Sequence, residues 1–550
     1  MRRPSLSTAA LALAYAAILL IALVCRFQPS YYAAEMEPFP DAFEYSASAL
    51  SLYQTGSLTI SVNHVAYPPR YSYGFPMLLL PAFAIFGAEP QKALYVSLFL
   101  SVAMLVTTML LAHRLSGHLA ALAAGLVVAV GPAHIQGGQW IMSDAAGACL
   151  ILLASYVLIV GQDRRQPRRY WLVAGFLGGL AVALAISNVI YVAVLGAVSM
   201  WWLRREPRLA VRAALAMLLG SLVWIVPLLV YNWRTFGSPL KTGYHLWTGF
   251  FYNTLSFTLN LSYILTPGWL NKGPGNLEYY LRSLLGLNAS FYGLAFLAAI
   301  AVGLVYMVRS AAPRQRRGLA LLLLLALADL AFYSMYLFRY PRFVLLAGAI
   351  LAIIGGVGVS ALTGWVVLAV RQRQRQGRYL ARALVCALLL LLVAFTCAGS
   401  ALDGVRSGYV WHTALRGRPW FTYMVRYEAI QYLDSQLPND ALIVSGVPPS
   451  YLGYYLLRNT ARTSMSIARG VEQTTDGPGL AWPVALERPD LIAAAIDKGI
   501  PVYLLDEPET QQWKAALTSL QERFDFRRES VAALGGGRRY TLYRLAEKAR

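Results

Sequence analysis

Charge is what this chain has least of. Charged residues make up 13% of its 550 positions, where a water-soluble protein carries about a quarter. The acids are scarcest and unevenly spread: residues 1–400 hold 10 of the 26 Asp and Glu, and residues 401–550 hold the other 16. With 58% hydrophobic residues and a mean hydropathy of +0.51, this excludes a soluble enzyme, a disordered chain and a collagen-like chain. Cysteine is equally sparse. Cys25, Cys149, Cys386 and Cys397 all lie in apolar runs, which excludes a disulfide framework and any CxxC metal site. Also absent are an HExxH pair and an internal repeat of the kind that marks many transporters.

What is present is a polytopic membrane layout. A spanning helix needs about 20 apolar residues. Eleven spans are expected, near 6–27, 92–112, 118–135, 142–161, 170–187, 189–203, 210–232, 290–309, 318–338, 343–370 and 380–400. The fifth and sixth are separated only by Ser187 and Asn188. The first has no small-x-small cleavage site before Phe27 and reads as a retained signal anchor. The net charge of +21 does not point to nucleic acid, because the basic residues sit in short clusters between apolar runs. With the N-terminus in the cytoplasm, the inner loops hold twenty Lys and Arg and the outer loops before residue 401 hold seven, as the positive-inside rule requires. An odd number of spans then puts residues 401–550 outside the cell. Two domains are expected: a membrane module over 1–400 and a soluble extracytoplasmic α/β domain over 401–550. In the latter, strands near 441–445, 463–467, 501–505, 526–531 and 539–544 alternate with helical patterns. Gly535, Gly536 and Gly537 join the last two strands as a hairpin turn rather than a phosphate loop.

Two outer loops, 28–91 and 233–289, are long and rich in Tyr, Trp, Pro and Gly, and loops of that length are usually functional. In the first, Asp41 follows Pro40 at the start of a helical pattern whose face is Ala42, Tyr45, Ala49 and Leu52, and Glu44 lies three positions on, on the same side as Asp41. The pair reads either as a helix cap with a solvated acid, or as a general base or metal ligand at the membrane boundary. Phe75–Gly87 is too short to span and suits an interfacial helix. Asp144, at the outer start of the fourth span, is likewise either a cap or a carboxylate facing a shared cavity. Asp329 lies inside the ninth span, where an ionisable side chain is a functional candidate by default. A structural role, paired with an arginine or tyrosine, is the expectation. Arg339 and Arg342 flank Pro341 on the side where the positive-inside rule disfavours arginine, and a lipid phosphate is the obvious partner. Arg70 stands among Tyr67, Tyr71 and Tyr73, an aromatic setting suited to a sugar. His64, His134 and His245 are also outside, without metal-ligand spacing.

This combination resembles the GT-C superfamily of polyprenyl-phosphate-dependent glycosyltransferases, and within it the group holding protein O-mannosyltransferases, the aminoarabinose transferase of lipid A and rhizobial galacturonosyltransferase-like proteins. The resemblance rests on Asp41 in the first outer loop and on Tyr67, Pro68, Pro69 and Tyr71 leading into a short apolar helix. It rests also on Ser143-Asp144 opening a later span, on the segment PLLVYNWRTFGSPL, and on RYPRFVLL. It covers about residues 1–370. The chain has Asp41-Ala42 where protein mannosyltransferases have Asp-Glu, and Tyr67 where the aminoarabinose enzyme has Lys, so the substrate is not carried over.

The resemblance implies an integral-membrane glycosyltransferase moving a sugar from a polyprenyl-phosphate donor to an acceptor hydroxyl on a glycan, lipid or protein at the outer face of the plasma membrane. Asp41 would be the general base, with Asp144 as a second catalytic carboxylate. Glu44, His64, Tyr67, Arg70, Tyr71, Arg339 and Arg342 would bind substrate, the late arginines meeting the phosphate. No cofactor is required on this reading; a divalent metal, were one used, would draw on Glu44 and His64. The competing readings are a lipid transporter or flippase and a membrane anchor for the C-terminal domain, for which one or two spans would suffice. An oligosaccharide transferase would carry a WWDYG-like motif in the soluble domain, and the sequence has none.

Overall fold

The computed structural model describes residues 8–27, 40–162, 168–247, 259–268 and 273–371, less a few positions between 286 and 310, and most of 430–548. Most of the expected span at 380–400, with Cys386 and Cys397, the linker over 401–418, most of the expected helix 450–457 and the triplet 535–537 lie outside the described residues.

In chain order the elements are α1 (Thr8–Arg26), α2 (Pro40–Thr55), β1 (Ile60–Val62), β2 (Val65–Tyr67), α3 (Gly74–Phe86), α4 (Leu94–Ser116), α5 (His118–Val130), α6 (Pro132–Gln139), α7 (Ser143–Gly161), α8 (Arg168–Leu184), α9 (Val189–Trp202), α10 (Pro207–Phe236), α11 (Asn276–Leu284), α12 (Ala295–Arg309), α13 (Pro313–Ser334) and α14 (Leu345–Arg371). They are followed by β3 (Leu442–Ser445), β4 (Thr463–Ser466), α15 (Pro489–Asp497), β5 (Val502–Asp506), α16 (Gln511–Arg523), β6 (Phe524–Leu534) and β7 (Arg538–Glu547). The chain divides into two compact units. One is Met1–Pro29, Leu94–Leu229 and Leu255–Tyr409; the other is Ser30–Ala93, Val230–Thr254 and Val410–Arg550.

The first unit is helical. Among the described residues six helices are long and apolar enough to cross a membrane, or seven if the bent pair α5 and α6 is one span. Each of the first ten expected spans falls on a helix, and α8 and α9 are separate, parted by a turn of 3₁₀ helix at Ile186–Asn188. Asn188 stabilises that break by donating from Nδ2 to the Ala181 carbonyl at 2.7 Å. The stretch HIQGGQW is largely helical: His134–Gln139 belong to α6, which turns 63° from α5 at Gly131-Pro132. Proline cannot supply the N–H that would continue α5, but it suits the first position of a new helix.

The bend leaves the last carbonyls of α5 without helical donors. Arg26 fills them. Buried to 1% exposure, it donates to the carbonyls of Val128 at 2.8 Å and Ala129 at 2.7 Å and to Ser101 Oγ at 2.9 Å.

The second unit holds a five-stranded sheet of order β4-β3-β5-β7-β6. β3 is parallel to β4 and β5, and β7 is antiparallel to β5 and β6. Successive residues of a strand face opposite sides, so β3 sends Leu442 and Val444 into one core and Ile443 into the other. The Ile443 core also takes in Phe43 of α2, fully buried among Leu433, Leu452, Leu505 and Tyr540. A segment of the first outer loop thus shares a core with the C-terminal sheet. The α2 face expected to be buried is so at Ala42, Tyr45 and Ala49, but Phe43 and Leu50 are buried as well, giving the helix two covered sides.

Candidate functional site

Within the second unit the site starts at the first turn of α2. Pro40 opens the helix, and Asp41 stands in the first turn, where the helix dipole favours negative charge. A spacing of three puts Glu44 beside it. Arg70, reached from β2 through Pro68-Pro69, meets both. Its backbone N–H donates to Glu44 Oε1 at 2.6 Å, its Nε donates to Oε2 at 2.7 Å, and its terminal nitrogen lies 2.6 Å from Oε2 and 3.4 Å from Asp41 Oδ1. The two carboxylates differ sharply in exposure, 3% for the Glu44 side chain and 32% for that of Asp41. Burial pushes the Glu44 carboxyl above the usual carboxylate range, against the downward pull of Arg70. One guanidinium therefore faces two carboxylates, and the one it holds loosely is the one open to a ligand.

Aromatic rings wall this cluster. Tyr71 stacks on Tyr45 with centroids 4.2 Å apart, meets Tyr244 edge-on at 5.7 Å, and lies 5.3 Å from the Arg70 guanidinium carbon. Gly243 sits against the Arg70 backbone so closely that a Cβ there would lie 2.7 Å from Arg70 Cα. Sequence reasoning missed Gly243 and Tyr244, which are remote in the chain and carry no motif.

Tyr67 and His64 lie on the β1–β2 hairpin. Tyr67 pairs with Ile60 and packs on Ile60, Val62 and Leu246. The His64 Nε2 is 2.8 Å from the Arg462 carbonyl, which requires a proton on that nitrogen. Among the described residues, no group of three or more His, Cys, Asp or Glu side chains is placed to hold a metal ion.

Within the first unit a second cluster forms around Arg342, on the 3₁₀ turn Pro341–Val344. Its Nε lies 3.8 Å from Asp144 Oδ2, and its guanidinium carbon is 5.0 Å from the ring of Tyr340, 5.2 Å from Phe343 and 5.6 Å from Trp140. Asp144 is the second residue of α7; Met142 occupies the cap position. Arg339 turns elsewhere, donating to the Pro274 carbonyl and lying 4.9 Å over the Tyr279 ring. Asp329 has the tyrosine partner anticipated for it. Tyr191 donates to its Oδ1 at 2.5 Å, and the Ala347 N–H donates to its Oδ2 at 2.9 Å. Ala347 is in the first turn of α14, whose N–H groups lack helical acceptors, so Asp329 caps that helix from α13.

Neither a protein-family model nor a curated protein matches the sequence. Solved structures do match in shape. The apo ArnT of Cupriavidus metallidurans superposes with a TM-score of 0.60 at 16% identity, covering 98% of this chain and 98% of that one. The chain has a GT-C fold. The oligosaccharyltransferase of Archaeoglobus fulgidus superposes with a TM-score of 0.59 at 12% identity, over 95% of this chain and 73% of that one. The arabinofuranosyltransferase AftD from Mycobacteria gives 0.53 at 15% identity, over 99% of this chain and 40% of that one. ArnT is also known bound to undecaprenyl phosphate, and the archaeal enzyme in complex with an inhibitory peptide and a dolichol-phosphate. These matches concern the GT-C fold, in which both clusters described above are set.

Proposed function

We propose that this protein is a membrane glycosyltransferase that moves a sugar from a polyprenyl phosphate to an acceptor hydroxyl on the extracytoplasmic side, with Asp41 as the general base. The observation that carries the reading is the acidic pair of α2. Glu44 neutralises Arg70 in a buried ion pair, and Asp41 stays 32% exposed at the edge of it. The neighbours of like fold support the lipid-phosphate donor, since two of them are known with undecaprenyl phosphate or dolichol-phosphate.

On this reading the acceptor O–H gives its proton to the Asp41 carboxylate as its oxygen attacks the anomeric carbon. The bond from that carbon to the phosphate oxygen breaks, and polyprenyl phosphate leaves with inverted stereochemistry at the sugar. A positioned carboxylate base contributes about 10²–10⁴-fold. The leaving group is an anion already, so it needs charge stabilisation more than a proton. By the resemblance in sequence that charge stabilisation would come from Arg339 or Arg342, since a planar guanidinium binds phosphate oxygens in pairs.

The test is to incubate the purified protein with undecaprenyl phosphate carrying mannose, galacturonic acid, aminoarabinose or arabinose, and to measure release of undecaprenyl phosphate. The reading expects release with at least one donor and loss of release in Asp41→Asn, with donor binding retained. Wild-type release in Asp41→Asn overturns it.

A further inference from the structure

Resting on that reading, we propose that the C-terminal sheet sets the geometry of the Asp41–Glu44–Arg70 cluster through the β1–β2 hairpin, and that Asn63 is the positioning residue. The hairpin turn has two residues, Asn63 and His64, both in the left-handed region with φ of 47° and 67°. A two-residue turn of this hand matches the twist of the strands, and Asn-Gly is its preferred filling. Histidine in place of glycine is strained, so the turn is not built for local comfort. Both of its side chains are spent on the C-terminal sheet instead.

Asn63 matches a single residue of β4. Its Nδ2 donates to the Ser464 carbonyl at 2.9 Å, and its Oδ1 accepts from the Ser464 N–H at 2.8 Å and from Ser464 Oγ at 3.0 Å. β4 is the edge strand of the sheet, so the amide occupies the row of backbone groups that an edge leaves open. His64 holds the carbonyl of Arg462. Arg462, 2% exposed, is itself fixed. Its Nε donates to the Pro438 carbonyl at 2.8 Å, and its terminal nitrogens reach the Leu437 carbonyl and the Asp434 carboxylate at 2.5 Å. The hairpin tip is therefore tied to a rigid anchor.

From that anchor two routes lead to the acidic pair. Along the chain, β2 runs into Pro68-Pro69, whose fixed φ angles stiffen the link, and then into Arg70. Across the hairpin, Thr59 Oγ1 lies 2.9 Å from Ser51 Oγ of α2. Phe43, between the two carboxylates in sequence, is buried in the core of the same sheet. Moving the tip moves Arg70, whose guanidinium meets both Asp41 and Glu44.

The test is Asn63→Gly in the full-length protein. Glycine accepts the positive φ without strain, so the turn survives while all three bonds to Ser464 are lost. In hydrogen exchange, peptides spanning 65–71 are expected to exchange at least tenfold faster than in the wild type, while peptides of α7 are unchanged. With the undecaprenyl-phosphate donors named above, kcat is expected to fall about tenfold with KM for donor unchanged. Asn63→Asp keeps the acceptor for the Ser464 N–H and should fall between the two; it carries the test should Asn63→Gly unfold. Wild-type exchange at 65–71 with wild-type kcat, beside an inactive Asp41→Asn, overturns the positioning role alone. An active Asp41→Asn overturns the carboxylate reading and the positioning role with it.

Discussion

Asp41 keeps 32% of its side chain exposed and meets one guanidinium nitrogen at 3.4 Å. Asp329 is fully buried, with one oxygen taken by the Tyr191 hydroxyl and the other by the Ala347 N–H. A carboxylate whose oxygens are both occupied by fixed donors is spent on holding helices together. A carboxylate left 32% exposed at the rim of an ion pair is within reach of a ligand, which is why Asp41 and not Asp329 is the proposed base. Burial depth alone would rank the two the other way, because an acid inside an apolar helix is the more unusual residue. Exposure, not depth inside an apolar helix, is the ground on which the proposal gives the chemistry to Asp41.

Substitutions can break or sharpen this contrast. The largest effect is expected at Asp41. Asp41→Asn should lower transfer by about 10²–10⁴-fold and leave thermal unfolding unchanged; a matching loss of stability would make Asp41 structural, like Asp329. The reverse is expected in the first unit. Asp329→Ala strands the Tyr191 hydroxyl and the Ala347 N–H, each at a cost of about 1–3 kcal/mol, so the melting temperature in detergent should drop. Asp329→Asn keeps an acceptor and should drop it far less. Equal losses in the two variants would mean that the charge, not the capping bond, is what matters there.

A smaller effect is expected from Gly243→Ala. The added methyl would fall on the Pro69 carbonyl oxygen and lie 2.7 Å from Arg70 Cα, and the backbone shift should reduce turnover severalfold and lower the melting temperature; unchanged turnover would detach Arg70 from the chemistry. The smallest concerns Glu44. Burial raises its carboxyl above the ordinary glutamate value of 4.5, so the folded chain binds that proton more tightly than the unfolded one. That contribution is present below 4.5 and is lost as pH rises through the raised value. Lowering pH from neutral toward 4.5 should therefore raise the melting temperature of the wild type relative to Glu44→Gln. A difference independent of pH would remove Glu44 ionisation from the stability of the cluster.

Much of the layout was legible in the sequence. The segments near 92–112, 142–161 and 343–370 lie on α4, α7 and α14, and strands near 441–445, 463–467 and 501–505 lie on β3, β4 and β5. The site was legible in part. The spacing of Asp41 and Glu44 puts them on one side of a helix, but nothing in the sequence shows that the Nε and backbone N–H of Arg70 are engaged by Glu44. Arg26 passed unnoticed because an arginine ending an apolar helix is ordinary. Its signal was the Gly131-Pro132 break, whose exposed carbonyls needed a donor from somewhere.

The sequence by itself determined which segments are apolar, which alternate and where helices stop. Those properties come from neighbours a few residues apart, and hydropathy adds up locally. Only the tertiary structure decided who meets whom: Asp41 with Arg70 across 29 residues, Tyr191 with Asp329 across 138, Asn63 with Ser464 across 401. A hydrogen bond depends on a few tenths of an ångström between groups that the chain alone does not bring together, and no local pattern encodes that distance.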